Sequence, residues 1–63
     1  MLQILERDIP IILENVRELI KEVNNGVHLA YREITVGENF APLEAIAHTN
    51  FKNQIEIIIG VKN

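Results

Sequence analysis

Apolar residues recur along the first third of the chain at Leu2, Leu5, Ile9, Ile12, Val16, Leu19 and Val23, in alternating steps of three and four. That spacing holds them on one side of an α-helix, in a heptad-like stripe. Leu13 and Ile20 widen the stripe on one flank, while Glu6, Arg7, Glu14, Arg17, Glu18, Lys21 and Glu22 fall largely opposite. The pattern predicts an amphipathic helix from about Leu2 to Asn24. Asn24-Asn25-Gly26 supplies the stop, because glycine takes the left-handed conformation after a helix without steric cost. Lys21 in the last turn suits the negative end of the helix dipole.

Pro10 leaves two readings of the start. In the first, the helix runs through from Leu2 and kinks at Pro10, which lacks a hydrogen-bonding N–H. In the second, a helix from about Ile9 is capped by Asp8 and preceded by an extended arm, with Pro10 in a tolerant first turn. The unbroken apolar spacing across Pro10 favours the first. On that reading Ile4 and Ile11, seven residues apart, stack roughly 125° from the centre of the main stripe. A helix packed on its own sheet leaves this pair in solvent, which marks a second contact surface.

Beyond Gly26 the pattern shifts to strands. Val27 to Val36 is rich in β-branched and aromatic residues, and Gly37-Glu38-Asn39 is a turn signal. Gln54 to Lys62 alternates cleanly: Ile55, Ile57, Ile59 and Val61 share one face, and Gln54, Glu56, Ile58, Gly60 and Lys62 the other. The intervening Phe40 to His48 suits either a helix opened by Pro42 or a strand. The strand, about residues 42–48, is the reading adopted, with Thr49 to Asn53 as a hairpin loop. The expected fold is therefore α+β: one long N-terminal amphipathic helix on a three-stranded antiparallel sheet, α-β-β-β, in a single small domain.

In such a meander the last strand is an edge. Gln54-Ile55-Glu56-Ile57-Ile58-Ile59 carries one charge and no proline, so it lacks the devices that keep edges from pairing. Pairing with the same strand of a second chain removes the hazard. A strand order with the last strand in the middle of the sheet is the alternative.

Composition strengthens the case for a partner. A chain of 63 residues with no cysteine cannot brace itself with disulfides or thiolate-bound metal. A core of this size rarely supplies more than about 3–5 kcal/mol alone. Self-association, as a homodimer or a dimer of dimers, is the cheapest further source of buried area. The net charge of −3 disfavours nucleic-acid binding. No apolar run approaches a membrane span, and no signal-like start is seen, so a cytoplasmic location is expected. The 11 Ile and 7 Asn hint at an AT-rich source such as a low-GC bacterium or its phage.

Candidate chemistry is sparse. Glu44 and His48, four apart, with His28, form a weak metal or acid–base candidate whose commoner meaning is ordinary surface residues. Tyr31 with Arg32 could stack on and neutralise a nucleotide-like anion, but adjacent strand residues point to opposite faces. Glu14, Glu18 and Glu22 form an acidic ladder interrupted by Arg17 and Lys21, more in keeping with a solvated face than with a nucleic-acid mimic. Serine is absent, and Gly26, Gly37 and Gly60 lie too far apart for a phosphate loop.

The expectation is a non-catalytic homo-oligomer that binds and modulates another protein, an inhibitor of phage origin being the variant that fits its size and acidity. It calls for no cofactor and no metal. Ile4, Ile11, Ile55, Ile57, Ile58 and Ile59 are the expected interaction residues. The alternative is a small-ligand binder with a pocket between subunits, using His28, Tyr31, Arg32 and His48.

Overall fold

A computed structural model describes residues 4–37 and 42–62. The proposed helical start at Leu2, and Glu38 and Asn39 of the turn signal, lie outside these residues. A 3-10 turn, Glu6–Asp8, leads into helix α1, Ile9–Asn24. Strands β1 (Leu29–Ile34), β2 (Leu43–Thr49) and β3 (Ile55–Val61) follow and form one antiparallel sheet in the order β1-β2-β3. The chain thus has the α-β-β-β architecture, with α1 on one face of the sheet.

Two expectations about the N-terminus need correction. The helix does not run through Pro10 but begins at Ile9, with Pro10 inside the first turn where no N–H is required. Leu5 is extended, at φ −76° and ψ 142°. Ile4 therefore precedes the helix, and Ile4 and Ile11 do not stack on a common helical face. Asp8 stands at the N-cap position, yet its side chain makes no capping hydrogen bond. It is buried, and its Oδ2 has no hydrogen-bond partner among the described residues.

The helix ends as its sequence dictates. Gly26 adopts φ 102°, and the N–H groups of Gly26 and Val27 return to the carbonyls of Val23 and Glu22 at 3.1 Å each. Those carbonyls would otherwise be left open at the helix terminus.

The ambiguous segment ending at His48 forms the central strand from Leu43, and Thr49, expected in the loop, extends it. Ala30 pairs with Ala47, and Ala45 lies opposite Arg32, so the sheet surface beneath α1 is built from short side chains that let the helix sit close. The core consists of Ile12, Leu19 and Val23 from α1, Ala30 and Ile34 from β1, Leu43, Ala45 and Ala47 from β2, and Val36. Val16, Ile55 and Ile57 pack against it while staying half-buried.

A five-residue loop, 50–54, joins β2 to β3. The Asn50 side-chain oxygen accepts from the N–H groups of Lys52 and Gln54, at 2.9 Å each, and Asn53 takes φ 62°. Asparagine tolerates that region better than most residues and often braces a turn in this way.

Candidate interaction site

The register assigns every strand side chain to a face. Cross-strand partners share a face in an antiparallel sheet. The helix side holds Ala30, Arg32 and Ile34, then Leu43, Ala45 and Ala47, then Ile55, Ile57, Ile59 and Val61. All the fully buried members of this set lie on β1 and β2. On β3, Ile59 and Val61 remain 38% and 41% exposed although they face the helix side. Helix α1 therefore shields β1, β2 and the Ile55–Ile57 part of β3, and leaves Ile59 and Val61 at the far end of that strand less covered.

One ion pair shows which way the helix leans. Glu22 Oε2 of α1 lies 3.7 Å from the Arg32 guanidinium on β1, which fixes the flank of α1 facing β1. At about 100° per residue, Ile9, Leu13 and Ile20 lie on the opposite flank, toward β3. Ile9 and Leu13 are exposed and Ile20 is half-buried. The β3-side flank of α1 and the Ile59–Val61 end of β3 thus both present exposed apolar side chains on the helix side of the sheet.

Among the described residues, the backbone of β3 is open along the same edge. Asn50 donates to the Gln54 carbonyl at 2.8 Å, and Lys62 donates to the Pro42 carbonyl at 2.9 Å. In an antiparallel ladder, residues alternate between bonding toward one neighbour and the other. The even-numbered residues of β3 bond to β2, so the N–H and C=O groups of Ile55, Ile57, Ile59 and Val61 point away from the sheet. The edge at β1 is different. Its helix-side residues Ala30 and Ile34 are buried, Arg32 is tied to Glu22, and the strand carries both Arg32 and Glu33. Charges of that kind discourage edge pairing.

The face away from α1 has its own apolar row. Tyr31, Ile46 and Ile58 stand in register across the three strands, with Leu29 beside them. An ion pair and a His–Glu contact border the row. Lys62 Nζ donates to Glu33 Oε2 at 2.6 Å, and His48 Nε2 lies 3.2 Å from Glu56 Oε2. The hydrogen bond from Lys62 to Glu33, reinforced by the negative charge of that carboxylate, raises the Lys62 pKa above its ordinary value.

The residues singled out in the sequence divide accordingly. Ile4 and Ile11 are exposed but separate, and Ile58 and Ile59 are exposed on opposite faces of β3. Ile55 and Ile57 are largely engaged by the core of their own chain. Tyr31 and Arg32 point to opposite sides of the sheet. His48 shares the face of Tyr31, and His28 is exposed ahead of β1. The four candidate ligand residues do not converge within one chain. Glu44 and His48 lie on one strand, about 13 Å apart along it. Among the described residues no group of three or more His, Asp or Glu side chains is placed to hold a metal ion. The acidic ladder is partly neutralised, since Glu18 pairs with Lys21 at 3.2 Å and Glu22 faces Arg32.

Sequence reasoning missed Leu29 and Leu13 as exposed apolar residues. It also missed Phe51, which is 95% exposed at the tip of the β2–β3 turn. Half-buried Ile46 falls by strand alternation on the face of Glu44 and His48, and the register aligns it with Ile58.

No family model, curated protein or solved structure matches this chain. No described helix is long and apolar enough to cross a membrane.

Proposed function

We propose that this chain is a non-catalytic interaction protein that self-associates through the β3 edge and the adjoining flank of α1, and that binds and modulates another protein. One observation carries the reading: among the described residues, α1 shields β1, β2 and the Ile55 and Ile57 side chains of β3, but leaves Ile59 and Val61 exposed and the outward backbone groups of β3 unpaired. Both deficits disappear when another strand and its covering helix are added at that edge. The non-catalytic part rests on the residue inventory, which offers neither cysteine nor serine as a nucleophile.

Phe51 is the best-presented anchor for the second protein. Its turn is braced by the two hydrogen bonds to Asn50, so little order has to be imposed on binding. Aromatic side chains of this kind often dominate interface energetics.

Sedimentation velocity at micromolar concentration tests the self-association. The expected species has at least twice the 7.2 kDa mass of one chain. A single species of one-chain mass would remove the reading.

A further inference from the structure

We propose that the partner at the β3 edge is a second copy of this chain, paired antiparallel about Ile58, so that two three-stranded sheets become one six-stranded sheet. The inference rests on the self-association reading and adds the partner and the register.

Face matching limits the choices. Helix-side residues of one β3 must meet helix-side residues of the other, because slipping by one residue would turn apolar side chains to the wrong face. A two-fold pairing must therefore be centred on a single residue. A centre at Glu56 sets that carboxylate against its own copy, and like charges directly opposite are destabilising. A centre at Ile57 places Val61 against Asn53, a turn residue with φ 62° that cannot continue a ladder. A centre at Ile59 carries Ile55 past Lys62, beyond the end of β3.

Centring on Ile58 matches everything. Ile55 meets Val61 of the other copy, and Ile57 meets its Ile59. All four residues whose backbone groups point outward are then paired. The same pairs lay a row of apolar side chains along the helix side, between the Ile9–Leu13–Ile20 flanks of the two helices. On the other face Ile58, 58% exposed in one chain, meets its own copy. Glu56 faces Gly60, with Lys62 of the other copy on the diagonal, within reach of a long side chain. Opposite charges are brought together and like charges are kept apart.

The even-numbered residues of β3 occupy non-hydrogen-bonded positions in this new ladder. Opposed Cα atoms there lie about 4.5 Å apart, a separation a disulfide can span. The chain contains no cysteine, so introduced thiols report without background. Ile58→Cys, Glu56→Cys and Gly60→Cys are all made at positions with room: Ile58 and Glu56 are exposed, and a Cβ on Gly60 meets nothing within 4 Å. Mild oxidation followed by non-reducing electrophoresis reads the register, and sedimentation of each reduced variant reads association. Ile58→Cys is expected to cross-link to itself. Glu56→Cys and Gly60→Cys are expected to stay uncross-linked alone and to cross-link when mixed. If the reduced proteins sediment as dimers but the mixture fails to cross-link, or either variant cross-links alone, the register is wrong and self-association stands. If the native chain sediments as a monomer, both readings fall.

Discussion

Glu22 and Arg32 stand 3.7 Å apart, one on α1 and one on β1, too far for a hydrogen bond yet close enough to fix the side toward which the helix leans. Glu22 Oε2 and Arg32 Nε are both buried without a hydrogen-bond partner among the described residues, although each side chain is partly exposed overall. An exposed ion pair contributes little, and a buried polar atom without a partner costs stability. The double replacement Glu22→Leu with Arg32→Met is therefore expected to leave the thermal midpoint unchanged or raise it. A thermal melt followed by circular dichroism checks this, and a marked fall in the midpoint would contradict it.

Leu19 lies at the centre of the core, fully buried between α1 and the sheet. Leu19→Ala is expected to cost about 2–5 kcal/mol, comparable to the whole stability of a core this small. Leu13→Ala, on the exposed flank, should barely alter the unfolding of the single chain but should weaken self-association. Urea titrations at low and high protein concentration separate the two effects.

The β2–β3 turn makes opposite predictions for two asparagines. Asn50→Ala removes the acceptor for two backbone N–H groups and is expected to cost about 1–3 kcal/mol. Asn53→Gly relieves a positive φ and should be neutral or mildly stabilising. At the tip, Phe51→Ala should change neither the melt nor the association state while abolishing capture of the proposed partner protein. A loss of stability in Phe51→Ala would show that the ring serves the fold instead.

Lys62 provides a pH prediction with a definite sign. Its folded pKa is raised by the hydrogen bond to Glu33, so the stabilisation is fully present below the unfolded lysine value, about 10.4, and is lost as pH rises through the folded value. Glu33→Gln should return the Lys62 pKa toward its ordinary value, measured by NMR titration of the side chain, with little effect on the melt near neutral pH.

Much of the fold was legible because its periodicities are strong. The three-four spacing through Ile9, Ile12, Val16, Leu19 and Val23 specifies a helix, and the alternation from Ile55 to Val61 a strand. The start of α1 was misread because apolar spacing continues through Leu5, whereas the backbone is set by proline at the first turn. Periodicity also says nothing of where a helix sits across a sheet. The decisive local fact is the alanine surface made by Ala30, Ala45 and Ala47, which draws α1 over β1 and β2. That placement leaves Ile59 and Val61 uncovered while Ile55 and Ile57 join the core, a division that the four residues' shared face concealed. The edge position was expected from the meander order, with a central position for the last strand as the alternative, and the outward direction of its odd-numbered residues followed only once the turn had fixed the register.

Amide hydrogen exchange along β3, read residue by residue over a range of protein concentrations, tests self-association most directly. Within one chain the N–H groups of Glu56 and Ile58 bond to β2, while those of Ile57 and Ile59 have no strand to bond to among the described residues. In the paired state, protection at Ile57 and Ile59 is expected to approach that of Glu56 and Ile58 and to fall on dilution. An alternating pattern, with Ile57 and Ile59 exchanging fast at every concentration, would show that the edge stays open and contradict the account.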